Sequence, residues 1–148
     1  MTLAELDRRL KKLNIESETV EIIKRNEFEL LIFNKTQLYN FGVDSNGAKL
    51  ERYSSKYYAK EKNFMNRRPG FGVPDLFVTG AFYNGFFASP KGSSIVFGSR
   101  DDKSDKLEAS YGSKIFGLTR DNKKIFAVEI VRPQQQQYIT KTTGLVFK

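Results

Sequence analysis

The chain has 148 residues, a length typical of one domain with one hydrophobic core. It contains neither cysteine nor histidine, which excludes disulfide bonds, zinc sites built from these residues, and imidazole or thiolate catalysis. A net charge of +8 predicts attraction to a polyanion, and nucleic acid, an anionic membrane surface or an acidic protein would each satisfy that charge.

Aromatic residues supply much of the apolar surface. Hydrophobic residues make up 39% of the chain, but 13 Phe and 7 Tyr predict a folded protein and not a disordered polymer. No apolar run approaches the roughly 20 residues that cross a bilayer, and no charged-then-apolar signal pattern opens the chain. We therefore expect no membrane partner and a protein that is made and kept in the cytoplasm.

Residues 1–14 have the pattern of a short amphipathic helix. Thr2 and Glu5 have the spacing of a capping box, in which each side chain binds the other residue's backbone N–H. The apolar stripe of this helix consists of Leu3, Leu6, Leu10 and Leu13. We expect the stripe to dock on its own domain, and docking on a neighbouring subunit is the alternative.

A second, longer helix is predicted from Ser17 to about Asn40. Ser17 is a suitable N-terminal cap, no Gly or Pro interrupts the apolar pattern, and Gly42 is a suitable C-terminal cap. The segment Leu30–Phe33 is apolar on nearly every side. We therefore expect this helix to be central in the domain or shared between subunits.

Residues 43–74 lose regular periodicity and are predicted to form a long extended arm. The stretch is rich in charges, tyrosines, prolines and glycines, with one short helix expected around Ser55 to Asn63. Irregular segments longer than about 12–15 residues are uncommon in compact domains unless they bind something. The arm is therefore the first indication of a binding function.

Short elements are predicted in the next part of the chain. Either Asp75 or Thr79 could cap a short helix. A hairpin then follows, with strands at Phe86–Ala88 and Ser94–Gly98 joined by a type I turn over Ser89–Gly92.

Two helices are predicted in the last third of the chain. They run from Asp101 or Asp102 to Tyr111, and from Thr119 to Thr143. Gly112 and Gly144 are suitable stops, and Pro133 is expected to kink or break the second helix. Together the elements predict a single α+β domain over residues 1–148, with helices packed on a small antiparallel sheet.

Three short motifs resemble the beginning of a ligand site but lack an essential part. Pro74-Asp75 could open a nuclease-type metal site, but no Glu-x-Lys triplet follows, so a helix cap is the preferred interpretation of Asp75. Residues 44–47 lack the later ligands of a calcium loop, and residues 90–94 lack the glycine spacing of a phosphate loop. We predict no catalytic residue, metal or cofactor, and no enzyme.

Basic and aromatic residues alternate within the predicted arm. The candidate residues for a subunit interface or a DNA-facing surface are Tyr53, Lys56, Tyr57, Tyr58, Lys60, Lys62, Phe64, Arg67 and Arg68. Such a mixture can follow a phosphate backbone and stack on bases, and it is also enriched at protein interfaces. A solvated loop face is the third interpretation.

The order of three motifs resembles the phage virion morphogenesis and tail-completion proteins. These motifs are Gly42-x-Asp44-x-Asn46-Gly47, then Tyr53-Ser54-x-x-Tyr57 with Lys60 and Lys62, then Pro74-Asp75-Leu76-x-x-Thr79-Gly80-x-Phe82. The third motif resembles a leucine-x-x-threonine-glycine-x-apolar signature that precedes a hairpin in that family. The family-like residues of this motif are Asp75, Leu76, Thr79, Gly80 and Phe82. The likeness covers roughly residues 20 to 118.

This resemblance implies a structural virion protein of the head-to-tail connector, neck or tail-completion ring. It implies a homo-oligomeric ring, 6-fold or 12-fold, with other neck, portal or tail proteins and packaged DNA as partners. The location implied is the virion, with assembly in the host cytoplasm. A histidine-containing stretch of the family is replaced here by residues 111–118, which leaves the exact ring open.

Two other functional classes remain as alternatives. The first is a basic DNA-binding or regulatory module, indicated by the net charge and the aromatic, basic arm. The second is a hydrolase that uses only carboxylates, for which Asp75 and Glu129 are the candidates.

Overall fold

In the computed structural model, which describes residues 1–148, helices pack against one two-stranded antiparallel sheet, and this confirms the predicted α+β class. The elements are α1 Leu3–Leu10, α2 Ile15–Arg25, α3 Glu27–Thr36, α4 Lys56–Met65, α5 Ala81–Asn84, β1 Phe86–Lys91, β2 Ser94–Ser99, α6 Ser104–Tyr111, α7 Arg120–Ile125 and α8 Arg132–Thr143. A π-helical segment, Gln37–Phe41, extends α3, and another, Phe126–Val131, joins α7 to α8. None of the helices is both long and apolar enough to cross a membrane.

Helix α1 begins as the sequence predicts. The Thr2 amide donates to Glu5 Oε2 at 2.8 Å, and the Glu5 amide donates to Thr2 Oγ1 at 3.1 Å, which completes the capping box. The helix packs on the end of α8, where Arg9 donates to the Thr143 carbonyl at 3.4 Å. The helix therefore docks within the chain, but its predicted apolar stripe is only partly covered, since Leu3 is 86% and Leu10 is 43% exposed.

The predicted single helix from Ser17 to Asn40 is wrong, because Asn14 and Asn26 set different boundaries. Asn14 Oδ1 accepts the Ser17 amide at 3.0 Å, so α2 begins earlier. Asn26 separates α2 from α3, and its side chain donates to the Ile22 carbonyl at 2.7 Å. A short polar side chain that binds the local backbone competes with the helical ladder. The predicted cap at Gly42 is confirmed by its left-handed φ of 59°.

Residues 43–74 do not form one extended arm. The short helix expected inside this segment is confirmed as α4, which Ser55 caps by accepting the Tyr58 amide at 3.2 Å. The flanking chain is held on the domain, because the Ser45 amide donates to the Lys114 carbonyl and the Asn66 side chain donates to the Tyr39 carbonyl, each at 2.8 Å. The segment therefore folds on its own chain.

The hairpin is longer and turns later than predicted. Lys91 pairs with Ser94, so the turn is Gly92-Ser93 and not Ser89–Gly92. A positive φ of 60° at Gly92, the first turn residue, fits the two-residue turns that match strand twist. Pro90 lies inside β1 opposite Ile95.

Both helices predicted in the last third of the chain are present, but the predicted cap at Asp101 or Asp102 is wrong. Lys103 occupies the N-cap position of α6, because the Asp101 carboxylate accepts the Lys103 amide at 3.2 Å in the turn before the helix. α6 ends at Gly112, and the run from the Thr119 cap to the left-handed Gly144 is one helical rod. Its irregularity is the π-helical segment that precedes Pro133. Because proline has no N–H to donate to the preceding turn, the change of hydrogen-bond pattern falls at its expected place.

Two hydrophobic clusters form the core. The first contains Leu38, Leu50, Leu76, Phe82, Tyr83, Phe86 and Ile115, and the second contains Leu30, Ala88, Leu118 and Phe126. Both clusters contact Leu31, on the central helix α3. Helix α3 is therefore covered on more than one side by its own domain.

Buried amides fasten α3 to the loop before α7. Asn34 is fully buried, donates to the Ile115 carbonyl at 3.0 Å and accepts the Gly117 amide at 2.9 Å. Gln37 donates to the Gly117 carbonyl at 3.0 Å and accepts the Thr119 amide at 2.9 Å. These two side chains thus provide the hydrogen bonds that a neighbouring strand would otherwise make to this loop, whose backbone groups are shielded from water.

Replacing Asn34 by Leu should destabilise the domain. The substitution N34L leaves the Ile115 carbonyl and the Gly117 N–H without partners, and we expect a loss of about 2–4 kcal/mol in the free energy of unfolding. Urea denaturation followed by circular dichroism measures this loss. The control N46L, at an exposed turn residue, should change stability by less than about 0.5 kcal/mol. Equal stabilities of the two variants would contradict the role of Asn34.

Candidate interaction surface

A buried ion pair joins α4 to the segment that precedes α5. Lys62 Nζ lies 2.7 Å from Asp75 Oδ1, and the two side chains are only 8% and 3% exposed. Lys62 also donates to the Phe77 carbonyl. Asp75 accepts the Phe77 amide and an Asn66 side-chain N–H, each at 3.0 Å. Both charges are thus surrounded by partners, which a buried pair requires.

The preferred interpretation of Asp75 as a helix cap is wrong. Its carboxylate belongs to the ion pair and to a local turn with Phe77, and Asp75 lies six residues before Ala81, where α5 begins. Thr79 lies at the start of α5, where its hydroxyl accepts the Ala81 amide at 3.3 Å. The structure has no group of three or more carboxylates that could hold a metal ion.

A tyrosine-lined cavity of about 120 Å³ adjoins the ion pair. Tyr53 and Tyr58 meet edge to face with ring centroids 4.9 Å apart, and Tyr111 closes another side. Burial, followed by the nearby Asp75 charge, raises the pKa of Tyr53, and burial is also the main cause that raises the pKa of Tyr111. These hydroxyls therefore remain protonated at neutral pH and available as donors.

The family-like motif forms the wall between this cavity and the core. Leu76 is buried with a φ of 57°, a left-handed conformation that is unusual and strained for leucine. Gly80 adopts a φ of 87°, and a Cβ there would lie 3.2 Å from the Phe77 ring. Phe82 is buried in the first core cluster. These motif positions are therefore explained by chain geometry and packing.

The opposite face of α4 exposes aromatic and apolar side chains to solvent. Tyr57 is 73% exposed and Phe64 is 83% exposed, with Met65 beside them. We call Tyr57, Phe64 and Met65 the α4 stripe. Helical neighbours three, four, seven and eight residues apart share a face, which is why these side chains align. Helix α4 is thus amphipathic in the inverse sense, with a lysine inside and aromatic rings outside.

Exposed cations surround the α4 stripe. Lys56, Lys60 and Arg67 have no carboxylate within 4.0 Å, and neither has Arg68. The Arg68 guanidinium instead lies 5.8 Å from the Tyr39 ring centroid. One carboxylate, Glu61, lies on the same face beside Tyr57, so the surface combines a net positive charge with exposed apolar area.

The structure divides the residues that the sequence selected into two groups. The first group lies at the ion pair, the cavity or the core and consists of Tyr53, Tyr58, Lys62, Asp75, Leu76, Thr79, Gly80 and Phe82. The second group faces solvent and consists of Lys56, Tyr57, Lys60, Phe64, Arg67 and Arg68. Sequence reasoning missed Met65 and Tyr111. The spacing Tyr57-x₆-Phe64-Met65 was the available signal for Met65, but no sequence signal places Tyr111 beside Tyr53.

Comparison with known proteins found no matching family model, no matching curated protein and no matching solved structure. The class of molecule is therefore given by its geometry: an α+β domain that holds a short helix by a buried ion pair and exposes its aromatic face. The resemblance to phage tail-completion proteins stays a prediction.

Removing only one charge of the ion pair should be strongly destabilising. K62M leaves the Asp75 carboxylate buried without its cation, and we expect a loss of about 3–5 kcal/mol in the free energy of unfolding. The double variant K62M/D75N removes the unpaired charge and should recover part of this loss. Chemical denaturation of K62M, D75N and the double variant, each compared with the unmodified chain, gives the coupling energy between the two residues.

The matched control is K60M, which removes an exposed lysine of the same helix. It should lie within about 0.5 kcal/mol of the unmodified chain. A K62M variant as stable as K60M would show that the ion pair does not hold α4.

Proposed function

We propose that this chain is a non-enzymatic structural subunit of a tailed phage, part of the head-to-tail connector, neck or tail-completion ring. The observation that carries the proposal is the inverse amphipathicity of α4, whose lysine is buried while Tyr57 and Phe64 face solvent. Exposed aromatic side chains on a regular element are typical of a surface that a partner covers. The motif resemblance supplies the virion context.

The total surface supports a partner-covered protein. The accessible surface is 9948 Å², whereas a compact monomer of this mass, 17.0 kDa, is expected to expose about 7,700 Å². The excess of about 2,200 Å² exceeds the roughly 800 Å² that each partner buries in a standard interface. The chain therefore has enough additional surface for more than one contact.

The contact is proposed to be preformed. Because the Lys62–Asp75 pair and the hydrogen bond from the Asn66 side chain to the Tyr39 carbonyl hold segment 43–74 on the domain, the α4 stripe needs little ordering when a partner arrives. A surface that is already in its bound conformation loses less entropy on association. Assembly by this mechanism does not require segment 43–74 to become ordered on an adjacent copy.

The proposed partners are copies of the chain and neighbouring virion proteins. A homo-oligomeric ring of 6-fold or 12-fold symmetry would contact portal, neck or tail proteins, with assembly in the host cytoplasm. The cations beside the stripe would meet acidic neighbours or packaged DNA. No nucleophile, metal or cofactor has a role in this proposal.

Removing the two most exposed aromatic rings of α4 should weaken self-association. Each ring buried at an interface centre contributes about 2 kcal/mol, so Y57S/F64S should raise the dissociation constant of the oligomer about 100-fold or more. Sedimentation velocity over a concentration series measures this change. Circular dichroism should show an unchanged fold, since neither ring is buried.

The control is F28S, which removes an equally exposed ring from α3, outside the stripe. It should leave the association constant unchanged. If Y57S/F64S associates like F28S, the α4 stripe is not the contact. If the unmodified chain stays monomeric at all concentrations, even with purified neck proteins present, the proposed function is contradicted.

A second candidate function is a basic DNA-binding module, favoured by the exposed cations that lack carboxylate partners beside the stripe. If all four cations contact phosphates, the logarithm of the DNA association constant should fall with log salt at a slope of about −3.6. Filter binding across a salt series measures the slope. K56Q/K60Q/R67Q/R68Q should abolish the dependence, whereas K11Q/K24Q, which removes ion-paired lysines elsewhere, should retain it.

Absence of DNA binding at low salt excludes this second function. Salt-dependent binding by a monomer whose stripe variants bind equally well favours it over the structural role.

A further inference from the structure

The sheet has one free edge. β1 and β2 are its only strands, and the outer side of β1 is covered by α2 and α3, where the Ala88 amide donates to Glu27 Oε1 at 3.0 Å. Pro90, farther along the same side, has no N–H to offer. Exposed edges are usually blocked by such devices. β2 has none of them.

The register shows which groups the β2 edge presents. Because Lys91 and Ser94 flank a two-residue turn, Ser94, Val96 and Gly98 bond to β1, and the N–H and C=O groups of Ile95 and Phe97 point away from it. No loop or helix backbone bonds to these outward groups. The edge can therefore accept another strand through main-chain hydrogen bonds.

Two adjoining cavities lie along this edge. One of about 510 Å³ is mainly apolar, and one of about 460 Å³ is mainly polar. Both are bounded by Ile95, Phe97, Leu118 and Lys123. The apolar cavity also reaches Phe126, whereas the polar one is lined by the carboxylates Asp105 and Glu108. A strand added at this edge would therefore contact the apolar cavity and, next to it, the cavity lined by carboxylates.

The chain itself contains a segment of matching chemistry. Leu145–Phe147, which we call the tail segment, has no regular structure, and its side chains are 40%, 76% and 48% exposed. Valine and phenylalanine favour strands. In an extended conformation Leu145 and Phe147 point to one side and Val146 to the other. Lys148 follows and would complement the carboxylates of the polar cavity.

The two cavities together form a groove along β2, and the tail segment cannot reach this groove in its own copy. The helical rod runs from Val131, at the groove, to Gly144, and a rise of 1.5 Å per residue makes that about 20 Å. Three extended residues return at most about 11 Å. A tail segment that enters the groove must therefore come from another copy.

We propose that the tail segment of one copy adds as a strand to the β2 edge of the next, with Leu145 and Phe147 in the apolar cavity. The contact joins two different surfaces, so it is heterologous and generates a ring or a filament. The excess surface noted above is sufficient for this contact in addition to one at the α4 stripe. The inference does not depend on the α4 stripe, which lies on another element.

The first test uses the absence of cysteine in the chain. Val96 and Val146 point away from the cavity, so the proposed strands place them on one face. Isotope-labelled V146C mixed with unlabelled V96C, as full-length chains, should form a mixed disulfide under mild oxidation, read by intact mass. The control pair V146C and V78C should not cross-link, although Val78, at the tyrosine-lined cavity, is more exposed (63%) than Val96 (41%).

The second test measures association by sedimentation. L145S/F147S should raise the dissociation constant about 100-fold, the ratio expected when two half-buried side chains lose their apolar contact. V146S should leave it unchanged. The mixed disulfide should also form in the Y57S/F64S background, so failure of the α4 contact and failure of strand addition give different results. Equal cross-linking of V96C and V78C, or equal association of L145S/F147S and V146S, overturns the inference.

Discussion

The buried ion pair between Lys62 and Asp75 is the constraint on which the rest of the candidate surface depends. Helix α4 has an apolar and aromatic face that could have been buried, yet the pair turns its lysine inward and leaves the rings in solvent. The same carboxylate fixes the turn to Phe77, and with it the strained backbone of Leu76. One electrostatic contact thus sets the orientation of a helix and the course of the motif that precedes the hairpin.

A buried ion pair is a poor source of net stability, because desolvation of two charges offsets most of their attraction. Its value in this protein is orientation, since rotating α4 to bury Phe64 would leave Asp75 without its cation. The proposed structural role requires such a device. A subunit that exposes apolar rings before assembly must keep those rings from packing into its own core. The Lys62–Asp75 pair does this, because burying the rings would separate the two charges.

Element boundaries were predictable from the sequence where local hydrogen bonds decide them, and they were missed where a distant contact or an ambiguous residue decides them. Several helix ends were predictable because each depends on residues within one turn. These are the Thr2–Glu5 capping box, the start at Thr119 and the ends at Gly42 and Gly144. The division at Asn26 was missed because its side chain also bonds to Gln134, a contact between distant parts of the chain. The turn at Gly92-Ser93 was misplaced because Pro90 fits both a turn and the outer side of an edge strand.

The sequence by itself determined the α+β class, most helix ends, the hairpin and the concentration of aromatic and basic residues in segment 43–74. These properties follow from periodicity, capping and composition, which act over a few residues. Only the tertiary structure decided that this segment folds back and that Lys62 alone among its cations is buried. Local rules do not distinguish among the seven cations of this segment, and only the position of a carboxylate thirteen residues away singles out Lys62.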